Sequence, residues 1–167
     1  MSLAMSVQYD DRKVLAKLKH MEKKAAQKAI KKGVTAGRKK TLAVARHNAA
    51  SLENVGTGMA EKIASSLVSR VTPKKTLKAK DAWAKEITFN PKKVEANGLI
   101  YISKEGVRSF IPFAIEYGHA APYQGGSKNK VASPKPFMRV AHEQTKGESM
   151  RIAKKVITQE IRKAWNK

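Results

Sequence analysis

The chain has 167 residues, 41% of them hydrophobic, no cysteine, and 35 Lys+Arg against 13 Asp+Glu, a formal net charge of +22. That length suits one domain with a real core, and the lack of cysteine excludes disulfides, thiolate metal sites and cysteine nucleophiles, in keeping with a reducing compartment. The charge favours a polyanion as partner, whether nucleic acid, an anionic membrane surface or an acidic protein; the plainer alternative is a solvated basic surface.

Residues 1–9 read as a leader without fixed structure, since Met1-Ser2-Leu3-Ala4-Met5 has neither the basic nor the apolar region of a secretory signal. From about Asp10 to Leu52 the pattern is helical, with Val14, Leu15, Leu18, Met21, Ala25, Ala29 and Ile30 spaced by three and four. Asp10 and Asp11 suit its N-terminal end. Lys23, Lys24, Lys31, Lys32, Arg38, Lys39 and Lys40 crowd the polar side. Gly33 and Gly37 make this either one helix with a weak point or two helices meeting there, or they let a neighbour pack closely. After a break at 52–58, Thr57 is placed to cap a helix with an inward stripe of Met59, Ile63, Leu67 and Val71, ended by Pro73. Thr72 to Lys80 is a basic, mobile loop carrying Lys74, Lys75, Lys78 and Lys80.

Trp83, Lys85, Ile87 and Phe89 alternate as in a half-buried strand. Val94–Ala96 and Leu99–Ser103 flank Asn97-Gly98, a hairpin-turn dipeptide. Glu105-Gly106 makes a further turn before an apolar run, Phe110–Tyr117, read as another strand. A mobile loop near 120–133 follows. Pro134 and Pro136 lead into a long helix with Phe137, Val140, Ala141, Met150, Ala153, Val156, Ile157, Ile161, Ala164 and Trp165 on one face, bent or interrupted at Gly147. This order predicts an α+β fold: a long N-terminal helix or helix pair, a small antiparallel sheet of three to four strands, and a long C-terminal helix packed on it. The whole of 10–167 is expected to be a single domain. No apolar run reaches the roughly 18–20 residues of a membrane span, so no membrane partner is expected.

Chemistry is sparse. His20, His47, His119 and His142 have no partner at metal-ligand spacing, so no metal and no cofactor are expected. Glu116 is notable for its apolar surroundings; its plain roles are pairing with Arg139 or a lysine, or accepting loop amide hydrogens. No catalytic residue is assigned, and the chain reads as non-enzymatic. The basic helix, with Lys74 and Lys75, is the candidate surface for non-specific phosphate contacts.

Two segments carry a specific motif: Ile115-Glu116-Tyr117-Gly118-His119 and Pro134-Lys135-Pro136-Phe137-Met138-Arg139-Val140-Ala141. With the basic helix and the strands between, they resemble the neck and tail-completion proteins of long-tailed bacteriophages and prophages, which join the head connector to the tail. That family has an aromatic-rich strand ending in Glu-Phe/Tyr-Gly-Thr, then a loop, then Pro-x-Pro-Phe-(Leu/Met)-Arg-Pro-Ala opening the last helix. His119 and Val140 depart from the pattern, and Val55-Gly56-Thr57-Gly58-Met59 only echoes its Asp/Thr-Gly-x-Leu element. The resemblance implies a structural homo-oligomer in the virion neck or tail, assembled as a ring in the host cytoplasm and docked to connector and tail proteins. Its clamp would be Glu116, Tyr117, Gly118, Pro134, Pro136, Phe137 and Arg139, holding an interaction loop. The alternative is a small basic nucleic-acid-binding protein working through the N-terminal helix.

Overall fold

A computed structural model describes residues 23–77, 83–102, 106, 108–120 and 131–165. The leader, the start of the first helix with Asp10 and Asp11, His20, Lys78 and Lys80, Glu105, and the centre of the 120–133 loop lie outside the described residues.

The elements run α1 (Lys23–Ala50), α2 (Met59–Ser66), β1 (Leu67–Val71), a 3-10 turn at Lys74–Thr76, β2 (Lys85–Phe89), α3 (Pro91–Ala96), β3 (Ile100–Ile102), β4 (Arg108–Phe110), α4 (Ile111–Tyr117), β5 (His119–Ala120), β6 (Val131–Ala132) and α5 (Met138–Trp165). This is an α+β fold with a long helix at each end. The strands form two-stranded ladders, β1 with β2, β3 with β4, and β5 with β6, rather than one continuous sheet. The last two are antiparallel, with Tyr101 opposite Ser109 and His119 opposite Ala132. No described helix is long and apolar enough to cross a membrane.

The chain groups into two compact units, one drawn from 23–42, 69–88 and 144–165, the other from 43–68 and 89–143. The first is built on an antiparallel pairing of α1 with α5. Ala29 packs with Ile157 and Ile161 in a buried cluster. A Cβ on Gly33 would meet the Ile157 side chain and the Ala153 carbonyl oxygen, the latter at 2.8 Å. One on Gly37 would stand 2.5 Å from the Ser149 carbonyl oxygen. Spacing by four places Ala29, Gly33, Gly37 and Thr41 on one ridge, opposed by Thr145, Ser149, Ala153 and Ile157. The glycines therefore mark close approach within one continuous helix. Where the seam turns polar, it satisfies itself: Thr145 Oγ1 donates to Thr41 Oγ1 at 2.9 Å, and Thr41 shares a 2.9 Å bond with Ser149 Oγ. Lys32–Glu160 and Lys40–Glu148 ion pairs flank it. Gly147 does not interrupt α5, which is continuous from Met138 to Trp165.

Several local expectations are corrected. The second helix stops at Ser66, and Leu67–Val71 is a strand with Val71 54% exposed. Leu67 has extended dihedrals, and Ser66 Oγ bonds back to the Ile63 carbonyl at 2.7 Å. Thr57 does not cap this helix; Gly58 occupies that place without a side-chain bond. Pro91–Ala96 is a helix capped by Asn90, whose side chain accepts from the Lys92 amide. Asn97-Gly98 then ends that helix rather than turning a hairpin. Gly98 has φ +66°, its amide donates to Glu95 O at 2.9 Å, and the Leu99 amide donates to Val94 O at 2.9 Å. That is the paired 5→2 and 6→1 pattern of a helix C-terminus. Finally, Ile111–Tyr117 is a helix, not a strand, with Pro112 in its first turn.

Candidate functional site

The second unit brings the two motif segments together. Helix α4 ends at Gly118, whose φ of 74° and ψ of 161° lie in a region essentially restricted to glycine. Pro112 and Glu116, one turn apart, are both buried on α4. All four phenylalanines of the chain gather here. Phe89 meets Phe113 edge-on at 5.1 Å and Phe137 at 6.1 Å, while Phe113 stacks on Phe110 at 6.1 Å and on Tyr117 at 6.4 Å. Phe137 is 1% exposed.

Glu116, also 1% exposed, reaches from α4 to the start of α5. Its Oε2 accepts from the amides of Phe137 at 2.7 Å and Met138 at 2.9 Å, and its Oε1 from the amide of Arg139 at 3.0 Å. The first amides of any helix lack intrahelical partners and carry its positive end. A carboxylate there satisfies three donors at once and supplies the charge the helix dipole favours. Of the plain roles open to Glu116, backbone amides are the one it takes, although they belong to a helix and not to a loop. Neighbouring bonds fasten the same approach: the Lys135 amide donates to Ile115 O at 2.8 Å, and Lys135 Nζ to Glu53 O.

The remaining motif residues surround this contact. Tyr117 is 40% exposed, and its hydroxyl pKa is pushed up by burial and by the negative charge of Glu116, with Arg139 opposing. Pro134 and Arg139 are exposed and Pro136 is half-buried. Beside them an open groove of about 520 Å³ is lined by Leu52, Glu53, Lys135, Pro136 and Val140, among others. The β5–β6 ladder carries the chain away from Gly118 and back towards Pro134. Among the described residues, no group of His, Asp or Glu is arranged to hold a metal ion.

The polyanion candidates fare unequally. Lys24, Lys31, Lys32, Lys39, Lys40, Lys74 and Lys75 are exposed, and Lys23 begins α1. Arg38 is not on that surface: it is 1% exposed and its Nε donates to Lys85 O at 2.8 Å. Burial lowers its pKa to about 10. Sequence reasoning placed it outside because periodicity cannot tell a basic residue beside the seam from one facing solvent. Compared with profiles of known families, curated proteins and solved structures, the chain finds no match in any of the three.

Proposed function

We propose that this is a non-enzymatic structural protein of the bacteriophage head–tail junction or tail end, acting by self-assembly into a ring that docks between connector and tail proteins. One observation carries the reading. The two motif segments, separated by fourteen residues, meet in the buried contact of Glu116 with the Phe137, Met138 and Arg139 amides. That contact gives a physical reason for the motifs to occur together. It clamps both ends of the loop between them, so that loop can vary while its stems stay fixed. It also commits both Glu116 oxygens to a helix terminus, which argues against a free general base. The open groove beside Pro136, with Val140 37% exposed, offers a neighbouring subunit an apolar foothold.

Mass photometry and negative-stain imaging of the full chain, with inspection of the genes flanking its own, test the proposal. Closed rings, or a place among capsid, connector and tail genes, are expected. A chain that stays monomeric and lies outside any such gene cluster overturns it.

A further inference from the structure

The positive charge is not spread evenly. Among the described residues, the unit built on the α1–α5 pair carries eighteen Lys and Arg against three Glu, and the other unit seven against five. In the first unit the three acids are already engaged or buried. Glu148 lies 3.3 Å from Lys40, Glu160 pairs with Lys32 and Lys163, and Glu86 is 8% exposed in β2. Among the described residues, nearly all the net positive charge therefore sits on one unit.

The arrangement on that unit is regular. Because the small-residue ridges of both helices face each other, the exposed lysines and arginines of each helix are turned away from its partner, with Arg38 the buried exception. Lys28, Lys31 and Lys39 share one exposed face of α1, and Arg151, Lys155 and Arg162 one exposed face of α5. Each set spans eleven residue steps, roughly 16 Å of helix, the axial length of about five phosphates along one DNA strand.

The kind of polyanion follows from what the α1 face lacks. From Lys24 to Lys40 every exposed residue of α1 is Lys, Gln or Thr, whereas α5 ends on Trp165, 64% exposed beside Arg162. Protein interfaces have a desolvated apolar or aromatic centre and are depleted in lysine. A membrane-surface helix needs bulky apolar residues beside its charges. Neither pattern is present on that stretch of α1, whereas phosphate contacts need only positive charge at regular spacing.

We infer that the outer face of α1 binds the phosphate backbone of duplex nucleic acid without sequence preference, leaving the second unit for protein contacts. The inference stands on the charge distribution and does not depend on ring formation.

The test is fluorescence anisotropy of the full chain with a random-sequence duplex of about 30 base pairs, at about 50 and about 200 mM salt. Four phosphate contacts, from Lys24, Lys28, Lys31 and Lys39, predict a loss of roughly 10² in affinity between the two. The triple variant Lys28→Gln/Lys31→Gln/Lys39→Gln should lower the salt slope by about three, while Lys62→Gln/Lys92→Gln/Lys93→Gln in the second unit leaves it unchanged. All six are exposed, and circular dichroism checks that both variants fold. Equal effects of the two triples, or a wild-type slope below about two, overturn the inference. So does competition by polyglutamate or anionic vesicles as effective as by DNA at equal charge. Ring assembly, read separately by mass photometry, enters none of these outcomes.

Discussion

Glu116→Gln keeps the size of the side chain and removes one of its two acceptor oxygens. In the better orientation the amide oxygen takes the place of Oε2 and retains the bonds to Phe137 and Met138, now as neutral bonds. The amide nitrogen then faces the Arg139 N–H, donor against donor. An unsatisfied buried donor costs about 1–3 kcal/mol, and exchanging charged for neutral acceptors adds roughly 0.5–1 kcal/mol per bond. Loss of the negative charge at the helix N-terminus contributes about 0.5–1 kcal/mol more. Because these terms overlap, the expected total is about 2–4 kcal/mol, or roughly 4–16 °C in melting temperature for a chain of this length. Urea and thermal unfolding followed by far-UV circular dichroism and tryptophan fluorescence measure it, with coincident transitions required before a single value is taken. A second readout follows from Tyr117. Its pKa should fall when the Glu116 charge goes, yet stay above the ordinary tyrosine value because its burial remains, which ring-carbon NMR can follow. Exposed Glu143→Gln is the control. If Glu116→Gln changes stability by no more than that control, within about 0.5 kcal/mol, the capping argument is refuted.

The seam between α1 and α5 predicts opposite signs for two glycine substitutions. Gly37→Ala should destabilise by about 1–3 kcal/mol, because its Cβ meets backbone on α5. Gly147→Ala, with nothing within 4 Å of its Cβ, should stabilise by about 0.5–1 kcal/mol; equal signs in thermal melts sink the seam description. Glu160 gives a pH test. Its pKa is lowered first by the hydrogen bond from Lys32, so its contribution exists above the unfolded glutamate value of about 4.3 and is lost as pH falls through the folded value. The melting deficit of Glu160→Gln should therefore be present at neutral pH, shrink in high salt and fade as the pH drops below the unfolded glutamate value.

The long helices were legible because three- and four-residue spacing over many turns leaves little room for another structure. The role of Gly33 and Gly37 was legible only as one of several options. A small residue inside a helix reads equally as a weak point, and only the presence of Ile157, Ala153 and Ser149 across the seam decides. The short elements failed where one local signal serves two structures. Asn97-Gly98 tolerates positive φ for a hairpin or for a helix end, and the sign that decides, Asn90-Pro91 as cap and first turn, lay seven residues upstream. Leu67 and Val71 continue the four-residue stripe of Met59 and Ile63, yet a strand needs its partner to be known, and that partner begins at Lys85. Phe110–Tyr117 is a short apolar run whose periodicity is ambiguous by nature. Pro112 was the missed start signal.

The site was legible as a pair of segments but not as a mechanism. Pro136 and Phe137 announce a helix start, yet nothing in their vicinity supplies an N-cap side chain, since Lys135 and Pro136 cannot accept from amides. A helix whose entry is buried must find its acceptor elsewhere. Glu116, the carboxylate within the apolar run that precedes the loop, meets that need from twenty-one residues away. Reading Phe110–Tyr117 as a strand hid the pairing, because alternation would put Glu116 and Pro112 on a shared face for a different reason than one helical turn does. With the helix in place, Glu116 and the buried Pro112 face inward together while Phe113 and Tyr117 stack beside them. The carboxylate is thus aimed by α4 and consumed by α5, and one buried side chain ties together the two segments that bracket the loop.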